Sequence, residues 1–121
     1  MSNDQINRAV AEKVMGWHFE KQGQADHWHD GKGFVSFHRT YFLDDLNCAF
    51  EAWREFMKTK TTEDILPQIT FKYGDEGICC FITRKTLVGD SDFLESVFYE
   101  GKADTEAKAL CLAMLEAVEE S

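Results

Sequence analysis

Apolar residues recur along this chain with two periods, and the points where one period gives way to the other divide it into elements. Ile6, Val10 and Val14 share a face of a helix predicted over about residues 4–15, with Asn3 or Asp4 as its cap and Gly16 as the left-handed residue that ends it. Trp17 begins something new. Residues 25–39 read as a β-hairpin that turns at residues 30–33. If His29 pairs with Phe34, then Trp28, Val35 and Phe37 fall on a core face, and His27, His29, Ser36 and His38 on a wet one.

A second helix is predicted to start at Asp44 or Asp45 and to stop between Lys58 and Thr62. Leu46, Ala49, Phe50, Trp53, Phe56 and Met57 follow helical spacing, and the breadth of that stripe marks it as the main core helix. From Pro67 the period is two. Ile69, Phe71 and Tyr73 alternate, residues 74–77 turn the chain, and residues 78–83 return as a second strand. Residues 85–92 read as a polar loop, residues 93–100 as a third strand, and Gly101-Lys102 as the lead into a last helix. That helix carries Ala107, Leu110, Cys111, Met114, Leu115 and Val118 on one face and closes the core.

The resulting order is α-ββ-α-βββ-α, with none of the strand–helix–strand alternation that requires a parallel sheet. It predicts one α+β domain over residues 1–121, a layered αβ sandwich with an antiparallel sheet. Composition agrees: 121 residues at 44% hydrophobic and 13% aromatic suffice for a core, and the single proline argues against extended disorder. No apolar run is long enough to span a bilayer, and no basic-then-apolar leader opens the chain, so the expectation is a cytoplasmic protein without membrane contact. Neighbouring Cys79 and Cys80 point to opposite faces of a strand, Cys48 and Cys111 fall among Ala and Leu on helices, and all four read as reduced thiols.

Charge changes the picture more than composition does. The net charge is -9. Residues 1–40 balance five acidic against five basic side chains, whereas residues 86–121 hold nine acidic ones against Lys102 and Lys108. Such a surface repels phosphate backbones and attracts basic partners. From Leu43 onward the order of helix, three strands and helix resembles a double-stranded-RNA-binding domain in topology. That family grips phosphates with lysines at the start of the last helix; Asp104 and Glu106 stand there instead, so no general nucleic-acid binding is expected.

Several blocks in order along the chain resemble the phage ABA sandwich domain, a family of small phage- and prophage-encoded proteins. They are Val10-Ala11-Glu12-Lys13-Val14-Met15-Gly16-Trp17, then Trp28 with Gly31, then residues 45–53 and the Ala103-Asp104-Thr105-Glu106-Ala107 start of the last helix. Leu43-Asp44 replaces the Ser/Thr cap usual in that family, and the loop around residues 89–91 is longer. The resemblance implies a phage-related product with a layered αβ domain and no assigned activity. A phage-encoded copy would act in the host cytoplasm.

Candidate chemistry is sparse. His27 and His29 share a strand face and His38 lies diagonally across, enough imidazoles to hold a zinc ion with an open position, with Asp26 and Asp30 nearby in sequence. The simpler reading is a polar surface. Asp44-Asp45 is a helix cap, and there is no nucleophile–base pair, phosphate loop or dinucleotide fingerprint, so no cofactor is implied.

Three functions follow as expectations. The leading one is a non-enzymatic accessory protein that binds a host or phage macromolecule, a protein above all, through an acidic surface that includes Asp90, Asp92, Glu95, Asp104 and Glu106, with self-association possible. The second is a nucleotide-like ligand binder, which requires an aromatic pocket with a basic anchor such as Arg39, Arg84 or Lys85. The third is a metal-dependent enzyme on the His27, His29 and His38 face.

Overall fold

The computed structural model describes residues 2–22, 25–29, 34–35, 41–60, 65–87 and 94–120, with side chains over 2–18, 42–58, 67–83 and 98–119. Helix α1 spans Asn3–Lys13 and is capped by Ser2, not by Asn3 or Asp4. The Ser2 hydroxyl accepts from Gln5 N at 3.2 Å, and the Ser2 amide donates to Gln5 Oε1 at 2.8 Å. Two orphan amides are thereby satisfied by one reciprocal pair, which neither Asn3 nor Asp4 completes. Gly16 ends the turn at φ 72°, and Trp17 N donates back to Ala11 O at 2.9 Å.

The expected hairpin is part of a three-stranded antiparallel sheet, β1 (His18–Gln22), β2 (Ala25–His29) and β3 (Phe34–Val35). His29 does pair with Phe34, and Trp28 with Val35. Strand β1 is additional: His-Phe-Glu-Lys-Gln has one apolar residue and no sequence signal of its own, and pairing with β2 supplies its backbone partners. The expected positions Ser36, Phe37 and His38 lie outside the described residues.

A single turn of helix, α2 (Tyr41–Asp44), precedes α3 (Leu46–Lys60), so Asp44 ends α2 and only Asp45 serves as a cap. Its Oδ1 accepts from Asn47 N at 2.9 Å, and its carbonyl accepts from Cys48 and Ala49. The α2 turn is too short to satisfy its own first amides. The buried side chain of Asn7 on α1 accepts from Phe42 N at 2.8 Å, and the Cys111 thiol donates to Phe42 O at 3.7 Å. That pins α1, α2 and the last helix together.

The second sheet is antiparallel in the order β4 (Ile65–Gly74), β5 (Gly77–Leu87), β6 (Leu94–Ala103). Both later strands run further than their alternation indicates. Strand β5 continues to Leu87 through Arg84 and Lys85, where a polar loop was expected, because each residue is paired in register, Lys85 with Ser96 and Leu87 with Leu94. Strand β6 likewise continues through Gly101 and Lys102, and the last helix, α4, spans Glu106–Glu120.

The main core helix is α4, not α3. It packs on β5 and β6 and also against α1, α2 and α3, whereas the main contact of α3 with the sheet, among the described residues, is at β4. Being covered on both sides, α4 buries Ala109, Ala113 and Ala117 as well as Leu110, Cys111 and Met114. Small residues there let the strand backbone come close: a Cβ on Gly101 would overlap Ala109 O and Ala113 N and lie 2.9 Å from Leu112 Cβ. Trp53 and Phe56 of α3 are buried with their rings stacked at 5.4 Å, and Phe50 is half-buried.

Candidate binding surface

In an antiparallel sheet alternate residues point to opposite sides. Cys80, Ile82, Tyr99 and Gly101 are buried on the side that carries α4. On the other side Thr70, Lys72, Phe98 and Lys102 are exposed, and Cys79, Phe81 and Thr83 are half-buried. Phe98 retains 64% of its surface in solvent. Thr70, Lys72, Phe81, Thr83 and Phe98 line a shallow depression of about 300 Å³. Lys72 Nζ lies 5.3 Å from the centre of the Phe81 ring, within range of a cation–π contact.

At one end of the sheet the β4–β5 turn meets the exit of β6, because Ile78 pairs with both Tyr73 and Ala103. Tyr73 lies there on the side that carries α4 and is 68% exposed beside the start of that helix. Desolvation first, and then the Glu106 carboxylate that accepts its hydroxyl, raise the Tyr73 phenol above its ordinary range. Asp75, Glu76 and Asp104 are exposed around it, and Lys102 Nζ pairs with Glu76 at 2.9 Å. The result is an aromatic side chain in an acidic rim. On the outer edge of β6, the Glu100 amide donates to Glu116 Oε2 of α4 at 2.8 Å, which occupies an edge amide otherwise open to strand pairing.

Of the acidic residues picked from sequence, Asp104 is exposed and Glu106 is half-buried against Tyr73, so those two are brought together. Glu95 lies on β6 opposite Thr86, and Asp90 and Asp92 lie outside the described residues. His27 and His29 are on β2, while His38 is outside the described residues, as is Arg39. Arg84 and Lys85 are on β5 opposite Val97 and Ser96. Among the described side chains no group of three or more His, Cys, Asp or Glu is placed to hold a metal ion. No described helix is long and apolar enough to cross a membrane.

Tyr73, Phe81 and Phe98 were not singled out by the sequence reading. For Phe81 and Phe98 the signal is there, since residues 78–82 and 97–99 are apolar without interruption, and a strand with a single buried face has apolar residues only at every second position; Tyr73 belongs to an alternating run and has no such signal. Cys80 and Cys111 are buried, which pushes both thiols up to about 12; for Cys111 the neighbouring Cys80 adds to the effect of burial. They are packing residues of the core. No family model, curated protein or solved structure matches this chain at a significant level.

Proposed function

We propose that the protein is a non-enzymatic, phage- or prophage-related accessory protein that acts by binding a protein partner. The contact surface is the open side of the β4–β5–β6 sheet together with the acidic rim at its end. The observation that carries this reading is the exposure of Phe98 on the open side of the sheet and of Tyr73 at the end of the sheet, on the side that carries α4. Aromatic side chains are enriched in the centres of protein interfaces. Asp75, Glu76, Asp104 and Glu106 favour a partner with a basic surface, as does the net charge of -9.

A comparison of capture from phage-infected or lysogenic cells by the wild-type chain, Tyr73→Ala/Phe98→Ala and Asp104→Lys/Glu106→Lys tests the proposal. It expects one protein retained by the wild type and lost with both variants, each still folded. A partner that binds all three alike refutes the assignment. A second reading, a nucleotide-like ligand held by stacking, has a specific support in the Lys72 ammonium beside Phe81 and Phe98. Calorimetric titration with ATP and GTP decides it, because Lys72→Ala should then abolish the heat.

A further inference from the structure

The sheet formed by β1, β2 and β3 has a chemistry of its own. Register places His18 opposite His29 and Glu20 opposite His27. Opposed residues share a face, and so do residues two apart on one strand, so these four positions form a block on one side of the hairpin. Phe34, opposite His29, borders the block on the same side. The other side carries Phe19 opposite Trp28, and Trp28 opposite Val35. Asp26, opposite Lys21, belongs to that second side.

We propose that the block of His18, Glu20, His27 and His29 is a site for a divalent transition-metal ion of the zinc type. Strand spacing brings opposed positions to about 5 Å and positions two apart on a strand to about 7 Å, the scale on which side chains from neighbouring strands share one ion. Three imidazoles and one carboxylate make a nitrogen-rich donor set. Such a set suits Zn²⁺, Co²⁺ or Ni²⁺, whereas Mg²⁺ and Ca²⁺ require mostly oxygen. Three of the four histidines of the chain fall in this block. The set is complete without His38, and β1, which has no sequence signal of its own, supplies half of it. The inference is independent of the protein-binding surface on the other sheet.

Titration of the untagged, metal-free chain with Co²⁺, read by visible absorption, tests the site, with Zn²⁺ competition and thermal unfolding in parallel. The expected result is a saturable band at about one equivalent, displaced by Zn²⁺, and a rise in the unfolding midpoint with Zn²⁺ concentration. Each of His18→Gln, His27→Gln and His29→Gln should weaken Co²⁺ binding by about tenfold or more. Circular dichroism of each variant without metal should show the wild-type fold, which separates ligand loss from misfolding. The proposal is overturned if no saturable band forms up to about 1 mM Co²⁺. It is equally overturned if the glutamine variants bind as the wild type does, or if His38→Gln abolishes binding while His18→Gln does not.

Discussion

Gly101→Ala should be among the most damaging single substitutions in this chain, although it adds only one methyl group. The new Cβ would occupy the space of Ala109 O and Ala113 N, with Leu112 Cβ 2.9 Å away. Two of these three atoms are helix backbone, which cannot rotate aside, so β6 and α4 must separate along their contact. Overpacking of a tight core costs typically 1–3 kcal/mol, and a clash with backbone belongs at the upper end, about 3 kcal/mol or more. Reduced freedom of the unfolded chain returns only about 0.4–1 kcal/mol. Urea unfolding followed by far-ultraviolet circular dichroism measures the difference, and a typical slope for a small domain converts it to a midpoint lowered by about 1–2 M. Gly16→Ala is the internal comparison. Its site is open, and the cost there comes only from placing alanine at φ 72°, about 1 kcal/mol. If the Gly101→Ala midpoint stays at the wild-type value, or falls no further than that of Gly16→Ala, the close approach of β6 to α4 is not a determinant of stability.

Trp53→Ala should cost about 3–5 kcal/mol by emptying its place beside Phe56, and an unchanged thermal midpoint would remove α3 from the core. Asn7→Ala leaves the buried Phe42 amide without its Asn7 acceptor, so a loss of about 1–3 kcal/mol is expected in chemical denaturation. Native-state labelling with a thiol reagent should modify Cys48 and Cys79 well before Cys80 and Cys111, and uniform labelling in mass spectrometry would contradict the burial. The same two thiols ionise near pH 9 when unfolded and near 12 when folded, so the folded chain holds more protons between those values. Their contribution to stability is therefore complete below about pH 9 and lost as pH rises toward 12, and Cys80→Ala/Cys111→Ala should flatten that part of the curve of stability against pH.

Sequence pattern was informative where one period dominated a long segment. The helices α1, α3 and α4 and the β4–β5 hairpin follow from alternation or helical spacing, and the pairing of His29 with Phe34, taken there as a condition, is the one observed. It was uninformative where a neighbour decides the conformation. The residues of β1 form a strand because β2 offers partners, and Lys85 to Leu87 remain in β5 because β6 pairs with them. The rank of the helices was misread for a related reason. A broad stripe of large residues marks α3, but a helix enclosed on both sides needs small residues where backbone approaches, and the alanines of α4 resemble an ordinary helix surface until Gly101 is placed against them. Of the site, Asp104 and Glu106 were found through local charge, whereas Tyr73 and Phe98 were read simply as strand residues. Only the topology shows which side of the strand faces solvent.

That enclosure of α4 also bears on where function resides. Inside the core the Cys111 thiol of α4 donates to Phe42 O, and the buried Asn7 side chain accepts from the Phe42 amide. Groups held in this way are occupied by structure and offer nothing to a ligand. On the proposed reading, recognition falls to the open side of the β4–β5–β6 sheet and to the histidine positions of the β1–β2–β3 sheet, which differ in chemistry. One combines aromatic rings and lysines with an acidic rim, suited to a broad contact with a basic protein. The other has three histidines and a glutamate at adjacent register positions, the set proposed above for a single ion. A surface of the first kind is sensitive to the loss of area and charge, and one of the second kind to the loss of any single donor. Tyr73→Ala/Phe98→Ala should therefore leave Co²⁺ binding untouched, and His29→Gln should leave partner capture untouched. Cross-sensitivity in either direction would mean that the two sheets form one functional surface.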